Sequence, residues 1–307
     1  MPKLAADQSP IRVFDARSVR LHQSRAAAAD LRAEFLFTEG AERLADRLED
    51  VNRRFPRALD LGSRKGLLGR YLHGRGRIAW LVATDTAPSF TAGAPAPKLA
   101  ADPEALPFAP RSFDLVLSNL ALHWTNDLPG TLLQLRHVLK PDGLLLASLF
   151  CGQTLHELRQ AWLEAESEIE GGASPRVSPL ADPRDLAGLL QRAGFALPVV
   201  DSDMIEATYT DALALMRDLR LMGESNATAL RRRNFTRRAT LLKAASIYQS
   251  RFARADGRIP ASFEIATLTA WAPHESQPKP LLPGSAVTRL ADALQTREHS
   301  AGDKAGS

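Results

Sequence analysis

Ala58-Leu59-Asp60-Leu61-Gly62-Ser63-Arg64-Lys65-Gly66 is the stretch that decides the fold of this chain. An apolar approach ends in an acid, and two glycines then bracket a short loop that runs into a helical pattern. An α/β protein opens a pocket for a nucleotide-like ligand in this way. Glycine lets the backbone come close, and the helix start behind it offers free N–H groups. The centre of the loop is unusual, because Arg64 and Lys65 stand where such loops tend to hold another small residue. The simplest expectation is that both cations extend into solvent.

The flanking sequence repeats the strand-then-helix rhythm. A strand at 57–61 leads to a helix near 66–73, and IAWLVATD (78–85) reads as a second strand. A loop rich in Pro, Ala and Gly leads to KLAAD (98–102), a short third strand. FDLVLSNLAL (113–122) is an apolar run that fits a buried fourth strand. A helix over 128–139 is stopped by Lys140-Pro141-Asp142-Gly143, strong turn chemistry, before LLLASLF (144–150) as the fifth strand. This alternation predicts a mostly parallel sheet with right-handed crossovers, and ligands of such sheets bind beyond the strand C-termini. Asp60, Asp85, Asp102 and Asn119 stand at those ends.

Residues 25–52 predict one or two helices ahead of the first strand. After residue 150 come helices at 154–171 and 183–193, a strand at 197–209, helices at 210–223 and 236–254, and a final strand at 261–271. Four prolines between 273 and 283 exclude regular structure there, and the polar residues beyond Ala293 predict a disordered tail. The expected organisation is an N-terminal helical cap (1–53), an α/β domain (54–272) with a helical insertion at about 210–257, and a Pro-rich C-terminal arm (273–307).

Of 307 residues, 45% are hydrophobic and 24% charged, enough for a sizeable core. No apolar run has the length of a membrane helix, and the first residues lack the layout of a secretory leader. Cys151 is the single cysteine, so no intrachain disulfide can form and a reducing cytoplasm is expected. The net charge of +4 concentrates in Leu230-Arg231-Arg232-Arg233-Asn234-Phe235-Thr236-Arg237-Arg238, read as the solvated face of a helix. No nucleic-acid motif accompanies it, so no nucleic acid is expected as a partner.

The strand-end acids carry the chemistry. Asp85 lies 23 residues beyond Gly62, the separation at which a carboxylate accepts ribose hydroxyls; otherwise it caps the following helix. Asp102, in Asp102-Pro103-Glu104-Ala105-Leu106-Pro107-Phe108, can accept an adenine amino proton. Gly62, Gly66 and Gly69 are spaced poorly for a dinucleotide loop, which leaves S-adenosylmethionine as the better cofactor. His123 and Trp124 follow the fourth strand, as a base and a wall of an acceptor pocket, or as a packed pair. His156-Glu157 and His274-Glu275 show no metal spacing, so no metal site is expected.

In order and spacing, DLGSRKG, Asp85, ADPEALPF, FDLVLSNLALHW and LKPDGLLLASL resemble class I S-adenosylmethionine-dependent methyltransferases. The block LSNLALHWTNDLPGTLLQLRHVLKPDGLLLASLFCGQTLHELR resembles the malonyl-carrier-protein methyltransferases of biotin synthesis and the complex I assembly factor 5 family. LMGESNA (221–227), YQSRFARADGRIPASFEI (248–265) and HESQPKPLLPGSA (274–286) are similar to the second family. The resemblance implies a seven-stranded, mostly parallel Rossmann-like sheet with N-terminal helices and a helical insertion before the last strand. It also implies an S-adenosylmethionine site. Asp60, Gly62 and Gly66 would hold the methionine end, Asp85 with Thr86 the ribose, and Asp102 with Pro103 the adenine. Asn119 would floor the pocket beside the sulfonium, and Trp124, His274 and Ser276 would face the acceptor.

For function the resemblance implies modification of a protein, by arginine hydroxylation or methylation, during respiratory complex I assembly. An iron–sulfur subunit of that complex is the implied partner. The location would be cytoplasmic in a bacterium and the mitochondrial matrix in a eukaryote. A carboxyl methyltransferase acting on a small molecule or carrier protein is the alternative, as is a non-catalytic chaperone that binds the cofactor.

Overall fold

Seven strands form one sheet: β1 (Phe55–Leu61), β2 (Ile78–Asp85), β3 (Lys98–Ala100), β4 (Phe113–Asn119), β5 (Leu139–Cys151), β6 (Ala196–Tyr209) and β7 (Ile259–Trp271). The computed structural model describes residues 12–28, 34–75, 77–95, 97–278 and 288–297. The strand order is β3-β2-β1-β4-β5-β7-β6, parallel from β3 to β5, with β7 antiparallel to both of its neighbours. The expected α/β class and mostly parallel sheet are therefore correct. Order reverses at β1, whose two neighbours β2 and β4 splay their following loops apart. That is where an open parallel sheet makes its crevice.

Both faces of the sheet are covered, which is why its central strands read as continuous apolar runs. Ala58, Leu115, Leu117, Leu144 and Leu146 point to one core, and Leu59, Val116, Leu145 and Ala147 to the other. The first core is closed by α2 (Phe35–Glu49), α3 (Leu67–Tyr71), α6 (His156–Glu170), α8 (Ala212–Met222) and α9 (Arg238–Phe252). The second is closed by α5 (Leu128–Val138) and α7 (Pro183–Arg192). Asp127, Asp182 and Asp211 cap α5, α7 and α8 by accepting backbone N–H groups, as short acids at a helix start do.

Three local expectations need correction. Sequence reading missed α1 (Ala16–Ala26), which Asp15 caps through the N–H groups of Arg17 and Ser18. The Lys140–Gly143 turn does not end before the fifth strand but lies inside β5. Leu139 pairs with Phe113 and pairing resumes at Leu144 with Leu115, the excess residues bulging with Asp142 at φ +62°. The basic run precedes α9 as irregular chain rather than forming a helix face. Its arginines are held by acids: Arg231 by Asp15, and Arg232 and Arg237 by Glu170.

The chain divides after Pro273 into two units. The second contains α10 (Leu290–Ala293). Residues 279–286 of the HESQPKPLLPGSA motif lie outside the described residues, as do the extreme N-terminus and the end of the tail. No described helix is long and apolar enough to cross a membrane.

Candidate active site

The glycine loop leaves β1 at Leu61 and turns at once. Gly62 has φ +75°, and a Cβ there would lie 2.2 Å from the Cβ of Ala121, so only glycine fits. Gly62 and Ser63 both donate their N–H groups to the carbonyl of Thr84, locking the loop to the end of β2. Arg64, Lys65 and Gly66 then continue at φ +42°, +62° and +73° as one tight turn. Two consecutive non-glycine residues in the left-handed region cost about 1 kcal/mol or more each, which the surrounding contacts must offset.

Those contacts overturn the expectation that Arg64 points to solvent. Its residue is 5% exposed. The guanidinium lies 3.5 Å from the ring centre of Phe37 and 4.7 Å from that of Phe90. Nη2 donates to the carbonyl of Met222 at 2.8 Å, and among the described residues its nearest carboxylate oxygen, on Glu34, is 3.8 Å away. Lys65 is half-buried, its stem passing over Gly93 of α4 (Pro88–Gly93).

Beyond the loop opens a cleft of about 90 Å³. Gly62, Arg64, Asp85, Thr86, Asp102, Pro103 and Trp124 line it, so most of the residues expected to hold a cofactor do converge. Asp85 is buried. Its Oδ1 accepts the Ala87 N–H at 2.9 Å and its Oδ2 that of Arg64 at 3.2 Å, so it ties the glycine loop to the residue before α4 without capping that helix. Burial pushes its carboxyl above the ordinary range, against the pull of those N–H donors. Asp102 is exposed and accepts the Glu104 N–H. The unforeseen α1 closes the near side with Ala16, Val19, Arg20 and Gln23, and Gln23 accepts the hydroxyl of Thr86 at 2.8 Å.

Three expected residues do not line the cleft, and one of them is Gly66, packed against Ala94 and Pro95. Asn119 does not line the cleft; its amide donates to the Phe37 carbonyl of α2 and its oxygen accepts the Ser148 hydroxyl. Asp60 lies fully buried behind the loop, and neither carboxylate oxygen has a hydrogen-bond partner. Burial, reinforced by the nearby charge of Asp85, raises its carboxyl to about 7. Ser63 Oγ and Arg64 Nε are likewise buried without partners.

Trp124 also borders a second cavity, of about 240 Å³. Leu36, Phe150, Leu158, Trp162, Met216 and Phe263 give it apolar walls, and His123 and Glu224 give it polar ones. Glu224 Oε2 is 3.0 Å from both His123 Nε2 and Trp124 Nε1. A carboxylate oxygen only accepts, so the histidine presents Nε2–H to it. Nδ1 is buried and has no partner. Glu224 was not singled out from sequence, although it lies within LMGESNA; it stands just past the α8 terminus, more than a hundred residues from the side chains it joins. Of the remaining acceptor candidates, His274 and Ser276 belong to the second unit, exposed, with His274 Nδ1 2.7 Å from Ser276 Oγ. Among the described residues no three His, Cys, Asp or Glu side chains group as metal ligands would.

Comparison with known proteins agrees with this architecture. Residues 59–147 match the model of the methyltransferase domain family. The crystal structure of YcgJ from Bacillus subtilis shares the fold with TM-score 0.52 at 13% identity, covering 75% of this chain and 98% of that one. The chain is 42% identical to the mitochondrial arginine-hydroxylase NDUFAF5 of Danio rerio, over 91% of its own length and 89% of the relative's. To the human protein of that name it is 39% identical, over 95% and 86%. A malonyl-[acyl-carrier protein] O-methyltransferase of Halorhodospira halophila is 37% identical, over 84% and 88%. The glycine loop, the acids at the strand ends and near-complete coverage at these identities place the chain in the NDUFAF5 arginine-hydroxylase family, built on the methyltransferase domain.

Proposed function

We propose that this chain modifies an arginine side chain of a protein, by hydroxylation, with S-adenosylmethionine as the ligand of its glycine-loop cleft. The hydroxylation takes one oxygen atom from dioxygen and two electrons from an external reductant, and the second oxygen leaves as water. The observation that carries the substrate reading is the Glu224 carboxylate at the wall of an aromatic and aliphatic cavity. A guanidinium is planar, permanently charged and forked, so it matches a carboxylate and lies flat on tryptophan faces. Its three-carbon stem suits apolar walls. The malonyl carboxylate of a carrier-protein substrate would instead meet Glu224. Of the two cations that line this cavity, Arg176 already pairs with Glu166 and donates to Thr236, and Arg220 is exposed.

An exposed acid (Asp102) and a buried one (Asp85) border the cleft for adenine and ribose, and Arg64, whose Nε is buried without a partner, borders it beside Gly62. These residues fit S-adenosylmethionine, which when bound supplies an electrophilic methyl group. Asp85 and Thr86 would hold the ribose hydroxyls, Asp102 and Pro103 the adenine, and Gly62 would let the backbone approach. Within the acceptor cavity, Glu224 orients His123 so that Nδ1 can hold a proton, and Trp124 walls one site from the other.

The implied substrate is an iron–sulfur subunit of respiratory complex I. Peptide mass analysis of that subunit, from cells with and without this protein, tests the reading. A gain of one oxygen atom on arginine, absent from the deletion strain, is expected. A gain of one methylene would make the enzyme a methyltransferase, and an unmodified subunit would refute enzymatic action on it. Biotin auxotrophy on deletion would favour the carrier-protein reading.

A further inference from the structure

The stretch 230–238 inverts the ordinary placement of charged and apolar side chains. Large apolar groups leave water where they can, and charges stay in it. Here Leu230 is 82% exposed and Phe235 fully so, and no other large hydrophobic residue among those described is as exposed as either. The arginines beside them face the protein's own acids instead. Arg231 Nη2 donates to Asp15 Oδ2 at 2.9 Å and to Ser18 Oγ at 2.7 Å. Arg232 and Arg237 reach Glu170 Oε2 at 3.2 and 3.5 Å, and Thr236 Oγ1 accepts from Arg176 at 2.8 Å. Four residues of the segment are thus tied to the start of α1, the end of α6 and the chain just beyond α6. The two apolar side chains project from a base that is held in place.

The same segment borders the acceptor cavity. Ser225 and Asn226, a few residues upstream, line it, and so does Arg176, which holds Thr236 next to Phe235. A substrate that is itself a protein enters such a cavity with one side chain and lays the rest of its surface beside the rim. Arg233 and Arg238 are exposed and have no ion pair among the described residues, so both are free to meet acids on that surface. We propose that 230–238 is the docking surface for the protein substrate. Leu230 and Phe235 seat in an apolar patch of the substrate, and Arg233 and Arg238 meet acidic side chains at the edge of that patch. Apolar anchors within a charged rim are the usual anatomy of a protein–protein contact. This rests on the protein-substrate reading and adds where the rest of that substrate binds. An anionic membrane surface fits less well. Three of the five arginines are already paired with acids, and adhesion to such lipid draws on free basic charge.

A double variant, Leu230→Ser with Phe235→Ser, removes both apolar anchors, and Arg233→Glu reverses a free charge. All three side chains are exposed, so urea denaturation should find both variants as stable as wild type. Surface plasmon resonance then compares two ligands, the intact iron–sulfur subunit of complex I and a short arginine-containing peptide from it that reaches only the cavity. The double variant is expected to bind the subunit about 10- to 100-fold more weakly than wild type, and Arg233→Glu about 10-fold more weakly, while both bind the peptide as wild type does. Wild-type protein that binds the subunit no better than the peptide, or a double variant with unchanged affinity for the subunit, would overturn the docking surface alone. Wild-type protein that binds neither ligand would overturn the protein-substrate reading and the docking surface with it. Flotation with phosphatidylglycerol vesicles, or a dimer in sedimentation, lost in the double variant while its subunit affinity is unchanged, would assign the segment to a membrane or to a second copy instead.

Discussion

Substituting Asp60 by Asn should turn a pH-dependent stability into a flat one, and the two stability curves should cross. Asp60 is fully buried, its oxygens lack donors, and its carboxyl titrates near 7 rather than at the ordinary 3.8. Below 3.8 the acid is neutral in both folded and unfolded chains and contributes no difference. As pH rises from about 4 to about 7 the unfolded chain loses the proton first, so the folded state holds more protons and stability falls; above about 7 the loss is complete. The displacement corresponds to about 4 kcal/mol. Asparagine cannot ionise, but it buries an amide without partners, at about 1–3 kcal/mol. The ligand-free variant is therefore expected to be less stable than wild type at pH 4 and more stable at pH 8, with the curves crossing between about 4.5 and 6. Urea denaturation of both proteins across that range, followed by tryptophan fluorescence, reads it directly. Curves that stay parallel from pH 4 to 8 would refute the account of Asp60 as an unpartnered buried acid.

Two other substitutions follow from the same geometry. Gly62→Ala places a methyl 2.2 Å from the Ala121 Cβ and holds alanine at φ +75°, so a loss of about 2–4 kcal/mol in thermal or urea stability is expected. Glu224→Ala strips the acceptor from the N–H groups of both His123 and Trp124 and should cost about 2–4 kcal/mol, whereas Glu224→Gln keeps an oxygen there and should cost less than half as much. The Gln variant should nevertheless lose most of the affinity for an arginine-containing peptide, measured by calorimetry, because its charge is gone.

How much of this could be read beforehand depended on sequence distance. The central strands β1, β4, β5 and β7 were legible because they are buried on both faces, and Gly62, Asp85 and Asp102 followed from their places at strand ends. Helix α1 was not read, since its apolar residues are few and its packing is against the Ala227 segment and Trp124 rather than the sheet. Asn119 stands at a strand end like the acids, but Gly40 of α2 comes so close to its side chain that the amide is drawn to that helix instead. A strand-end position says where the backbone stops. It does not say which neighbour claims the side chain.

Arg64 shows the same limit from the other direction. A long cation in a surface-seeking loop reads as solvated, because local sequence contains no cause for burial. The cause is supplied by three elements remote from it, with Phe37 on α2, Phe90 on α4 and the Met222 carbonyl at the end of α8. Each fixes a different feature of the guanidinium: its two faces and one edge. A side chain held in that way cannot leave without exposing two aromatic rings and orphaning a helix-terminal carbonyl, so the centre of the loop is held in place despite its positive φ angles. The three anchors also make the cleft and the acceptor cavity two sides of one packed unit. A change that loosens α8 should therefore be felt at the glycine loop before it is felt anywhere in the sheet.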